Sequence, residues 1–106
     1  MKTMYEINQD YCNAVHQAIK LEDVAGNMKI LTDQTLQGFL DHVAANWKGE
    51  DAKTFLAKGK RLKDQMDRNI AFLQKAVEMI RSVAKVTREK EIAARNIALS
   101  SGEDSP

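Results

Sequence analysis

Nothing between Thr3 and Leu99 forbids a helix: the one proline of this 106-residue chain is its last residue, Pro106. Proline inside a helix removes a backbone hydrogen bond and clashes with the preceding turn, so its absence leaves helices free to run long. No stretch shows the period-two alternation and β-branched enrichment of a strand. The chain is therefore expected to be all-α, and the remaining question is where its helices start, bend and stop.

Thr3-Met4-Tyr5-Glu6 is a capping box, in which the threonine hydroxyl and the glutamate carboxylate satisfy each other's backbone amides. Behind it, Ile7, Tyr11, Ala14, Ala18, Leu21, Ala25, Met28, Leu31, Thr35, Phe39 and His42 recur at steps of three and four, with Thr35 and His42 as polar interruptions. The clearest punctuation is Asn46-Trp47-Lys48-Gly49, followed by Glu50 and Asp51, whose charges suit the positive end of a new helix dipole. A second stripe of Phe55, Gly59, Leu62, Met66, Ile70, Leu73, Val77, Ile80 and Ala84 follows. The expectation is a helix over about residues 4–46, a turn at 47–49, a helix over about 50–99 and a flexible tail at 100–106.

Folding the second helix back on the first at Trp47–Gly49 pairs the stripes. Val43 meets Phe55, Phe39 meets Gly59, Leu31 meets Met66, Met28 meets Ile70, Val24 meets Leu73 and Ala14 meets Val83. Apolar faces apolar nearly throughout, which predicts an antiparallel hairpin. Apolar residues remain beside that seam: Phe72, Ala76, Met79, Val83 and Val86 on the second helix, and Val15, Ile19, Leu36 and Leu40 on the first. One facing helix covers only a narrow seam, so the surplus predicts a partner. Residues 1–46 hold three lysines and six acids, net −3, whereas residues 47–106 hold thirteen basic and nine acidic residues, net +4. Two hairpins packed as a four-helix bundle, acidic first helices beside basic second ones, satisfy both features. The expected hairpin and dimer interface is Phe39, Val43, Phe55, Leu62, Met66, Phe72, Leu73 and Met79.

Composition excludes several classes. A formal charge of +1 argues against a dedicated nucleic-acid binder and a cationic membrane peptide. A single cysteine, Cys12, rules out an internal disulfide. No segment reaches the ~20 apolar residues of a membrane span, and Met1–Glu6 lacks the apolar centre of a signal peptide, so the expected start is soluble and cytoplasmic.

The elbow carries a resemblance. Trp47-Lys48-Gly49 at the centre of a helical hairpin, continued by Ala52 and Phe55 in a Trp-x-Gly-x-x-Ala-x-x-Phe pattern, is similar to the WXG family of small early-secreted-antigen-like proteins. The likeness covers nearly the whole chain. It implies dimers exported by a type VII secretion system, driven by a membrane ATPase and lacking a cleaved signal peptide. Such dimers act as secreted effectors or as escorts for larger toxins. The implied partners are an identical chain, a sister WXG-type protein or a toxin's N-terminal helical domain, together with the secretion ATPase. Many relatives carry a Tyr-x-x-x-Asp/Glu export signal after the second helix, whereas this chain has no tyrosine after Tyr11. Thr87, Glu91 and Ile92 stand in the corresponding region as a candidate signal. Deleting residues from Arg88 onward is then expected to abolish export and leave the hairpin folded.

Plainer readings accompany these. Trp47 fills space beside Val43 and Phe55, and Gly49 supplies backbone freedom. Cys12 and His16 share a helix face but make only half a metal site, with His42 far along the same helix, so no metal or other cofactor is expected. Lys53, Lys58, Lys60, Arg61 and Lys63 point around several sides of their helix and form a solvated face rather than a phosphate reader. Met28 and Met66 fill gaps in the seam. No catalytic triad or glycine-rich phosphate loop exists, so no enzyme is expected. A cytoplasmic helical-hairpin adaptor or assembly subunit is the alternative to the secreted protein.

Overall fold

The computed structural model describes residues 1–101. It is an all-α hairpin of two long antiparallel helices in contact, built from α1 (Met4–Ile30), a π-helical turn (Leu31–Leu36), α2 (Gln37–Asn46) and α3 (Glu50–Ser101). The expected tail falls mostly outside the described residues, and α3 runs two residues beyond Leu99. Two compact units make up the hairpin: a terminal unit pairing Met1–Lys20 with the stretch from Ala76 onward, and an elbow unit of Leu21–Lys75.

In the terminal unit, α1 starts at the capping box. The Glu6 amide donates to Thr3 Oγ1 at 3.1 Å, and the Thr3 amide donates to Glu6 Oε1 at 3.3 Å. Its core is thin: Ile7 and Ala18 from α1 are buried with Val77 and Ala84 from α3, and Tyr11, Ala14, Val15 and Ile80 are half-buried around them.

The elbow unit buries Ala25, Thr32 and Leu40 against Ala52 and Ile70 from α3, flanked by half-buried Met28, Leu36, Val43, Leu56, Met66 and Leu73. Here the structure corrects the stripe read from the sequence. Past Met28 the inward positions are Thr32, Leu36, Leu40 and Val43, whereas Leu31, Thr35, Phe39 and His42 lie exposed. The cause is the π turn, in which the Gln37 amide reaches five residues back to the Thr32 carbonyl. One extra residue in a turn rotates everything after it by about 100° around the helix axis. The polar interruptions vanish from the seam, and Leu36 and Leu40, expected on the outer flank, move inside. Thr32 is buried because its hydroxyl is satisfied locally, donating to the Met28 carbonyl at 2.8 Å.

The same rotation changes which residue faces Gly59. A Cβ built there would collide with the Leu40 side chain, so Leu40 and not Phe39 occupies that space. Close to the elbow α3 is also shifted by one position from the expected stripe: Leu62 is exposed, and half-buried Lys63 lies inward, its ammonium reaching Asp67 at 3.5 Å. A lysine tolerates that place because its methylene stem packs while its charge stays wet.

The bend accounts for its own backbone groups. The Trp47 amide bonds to Val43 O at 2.9 Å, and Asn46 Nδ2 and Lys48 Nζ donate to the carbonyls of His42 and Ala44 at 2.8 and 2.9 Å. The Ala44 carbonyl is one that the end of α2 would otherwise leave unpaired. Gly49 sits at φ +109°, a conformation that L side chains rarely adopt, and its carbonyl accepts the Lys53 amide at 3.1 Å.

Two stability measurements check this account. Deleting Gln34 converts the π turn to regular helix and keeps both flanking faces in phase, so urea unfolding is expected to show a loss of at most about 1–2 kcal/mol. Deleting exposed Ala71 from α3 rotates the rest of that helix off its seam and is expected to cost several times more. Gly59→Ala is expected to destabilise by about 1–3 kcal/mol, and combining it with Leu40→Ala should cost less than the sum of the two single changes.

Candidate interaction site

The terminal unit holds a groove of about 450 Å³ between α1 and α3. Its floor is Ile7, Tyr11, Ala14, Met79, Ile80 and Val83, and its end nearest the N-terminus carries Asp10, Arg88 and Glu91. Small residues make it: Ala14, Ala76 and Ala84 line it where longer side chains would fill it. Met79 and Val83 are 67% and 58% exposed, so this apolar floor is open to solvent.

The charged end is a network. Lys2 Nζ lies 2.8 Å from Asp10 Oδ2 and 3.2 Å from Glu91 Oε2. The hydrogen bond to Asp10, and secondarily that to Glu91, raises the Lys2 pKa above its ordinary value. A raised lysine pKa means that Lys2 stays charged through neutral pH, so the contact is present there. It fades in strongly alkaline solution, as Lys2 loses its proton. Arg88 is engaged elsewhere: its Nε donates to Asn8 Oδ1 at 3.0 Å and its guanidinium lies 5.5 Å from the centre of the Tyr11 ring.

In the elbow unit the exposed apolar groups are aromatic. The Phe55 ring bridges Trp47 and Phe39, at 5.8 and 6.1 Å between centroids, in tilted and edge-on arrangements. All three rings keep more than a third of their surface in water. Phe72 is 72% exposed on α3.

The expected site residues therefore separate into groups. Val43, Met66 and Leu73 are half-buried in the seam, while Phe39, Phe55, Leu62, Phe72 and Met79 are exposed. Of the candidate export residues, Thr87 lines the groove, Glu91 is tied to Lys2 and Ile92 is half-buried. Truncation from Arg88 would thus remove the partner of Asn8 and Tyr11 and one of the two partners of Lys2, contrary to the expectation that it spares the hairpin; a cut that preserves them begins at Ala93. The network at Lys2, Asn8, Asp10 and Arg88 was missed in the sequence. Extending the register of Ala14 against Val83 brings residues 2–10 alongside 87–95, which was the available signal.

Among the described residues, no three His, Cys, Asp or Glu side chains gather as a metal-holding group, and Cys12 is exposed. No helix among them is long and apolar enough to cross a membrane. Comparison of the chain with known protein families, characterised proteins and solved structures returns no match.

Arg88→Ala removes both the Asn8 hydrogen bond and the Tyr11 ring contact. Amide exchange at residues 4–11 is expected to accelerate by about tenfold, with little change around the elbow.

Proposed function

We propose that this chain is a non-enzymatic partner-binding hairpin exported by a type VII secretion system, working as a dimeric effector or as the escort of a larger toxin. The observation that carries the reading is the mismatch between core and surface. Among the described residues, four of the eight buried apolar ones are alanine, whereas Phe72, Met79, Val83, Leu62 and Phe39 stand more than half exposed. A two-helix seam of small residues buries too little area to be strongly stable alone. Pairing with a second hairpin, identical or not, covers the exposed flanks in a four-helix bundle. The Trp47-Lys48-Gly49 elbow, with Ala52 buried and Phe55 packed on Trp47, supports the kinship with WXG proteins. The secretion ATPase is the second partner on this reading, and neither nucleic acid nor a stably entered membrane is a partner.

The runner-up, a cytoplasmic assembly adaptor, draws on Glu91. The acid standing in the export-signal position is tied to Lys2, and threonine, not tyrosine, stands four residues before it.

The two readings part in culture medium. Export requires the protein to accumulate outside the cell and to vanish from the medium when the secretion ATPase is deleted; retention in both strains supports the adaptor. Light scattering on material purified from the native cell is expected to give a dimer or a stoichiometric complex. Replacing the candidate signal in place, with Thr87→Ala and Ile92→Ser, should stop export while helix content stays unchanged.

A further inference from the structure

We propose that the terminal-unit groove receives one amphipathic helix of a partner chain that carries a lysine or arginine, and that this basic side chain replaces Lys2 between Asp10 and Glu91. The inference rests on the reading of the chain as a partner-binding hairpin and names the chemistry of the partner.

Shape selects a helix. The groove is open along one side, apolar on its floor and lined by alanines at positions that would otherwise block the side chains of a third helix. Apolar fit alone, however, admits any amphipathic helix.

Charge selects a basic one. Asp10 and Glu91 converge on a single ammonium, and the Glu91 side chain keeps only 23% of its surface, so it needs a cation beside it. Arg88 does not serve, because its guanidinium is held by Asn8 and Tyr11. The cation now present comes from Met1–Thr3, which precedes the first helix, on a side chain 48% exposed. A half-exposed ion pair held by a non-helical end is weak and exchanges readily. Lys2 thus acts as a removable plug, occupying the position that a partner's lysine or arginine takes when its helix fills the apolar floor.

The test uses the full chain and two short synthetic helical peptides, alike in their Leu/Ala face and differing only in one lysine or norleucine near the end, with binding followed by fluorescence anisotropy. The lysine peptide is expected to bind about five- to tenfold tighter than its norleucine twin. Lys2→Met should widen that ratio by freeing the acids, whereas Asp10→Asn with Glu91→Gln should abolish it, and Val83→Glu should weaken both peptides. Circular dichroism of each variant reports whether the hairpin remains folded, and Glu91→Gln alone serves if the double change does not. Equal binding of the two peptides, unchanged by Lys2→Met, overturns the basic-residue selection while leaving the partner-binding reading intact. Binding of neither peptide overturns both. Peptide binding that appears only when a homodimer is diluted apart shows a second copy seated in the groove and overturns the proposal of a distinct basic partner.

Discussion

Close approach of two helices through small side chains governs this molecule. Where Ala18 and Ala84 are buried in the terminal unit, and Ala25, Ala52 and Gly59 line the seam of the elbow unit, the backbones come near and little apolar volume fits between them. Interaxial distance follows the size of the residues at the contact, so a seam of small residues pushes the larger ones to its flanks. Met79, Val83, Phe72 and Leu62 are exposed for that reason, rather than through any failure of the hairpin to pack. The feature that makes each seam tight is the same one that leaves apolar groups seeking another chain.

The π turn keeps this arrangement in phase. Without it, α2 would present Phe39 and His42 to α3, and Phe39 would have to share the space above Gly59. With one added residue, Leu40 enters that space, and the Phe39 ring is free to lie edge-on to Phe55. The turn therefore decides both what is buried and which aromatic rings surround Trp47. Its cost is contained by Thr32, whose buried hydroxyl returns to the Met28 carbonyl.

The terminal unit joins an apolar groove to a compact charge network. The last turns of α3 are part of that network, with Glu91 bound to Lys2 and Arg88 bound to Asn8. Any partner group that engages Glu91 is thus coupled to the N-terminal segment, since engaging the acid means releasing the lysine. Binding energy spent there would loosen the start of the chain, which links partner choice to the local stability of α1.

The sequence by itself determined the helical class, the capping box at Thr3 and the place of the elbow, because proline absence, capping chemistry and glycine at a strained backbone position are local properties. It also signalled surplus apolar surface, since Phe72, Met79 and Val83 form a stripe that a single facing helix cannot cover. Only the tertiary structure decided the register near the elbow: periodicity assumes a constant twist, and a π turn changes the phase without leaving a mark in composition. Thr32 and Lys63 in the seam were illegible for the same reason, as their polarity argues for solvent until a local hydrogen bond or a packed methylene stem is seen. The ion pair of Lys2 with Glu91 likewise belongs to the fold, because it joins residues that lie far apart along the chain and meet only once the helices are antiparallel.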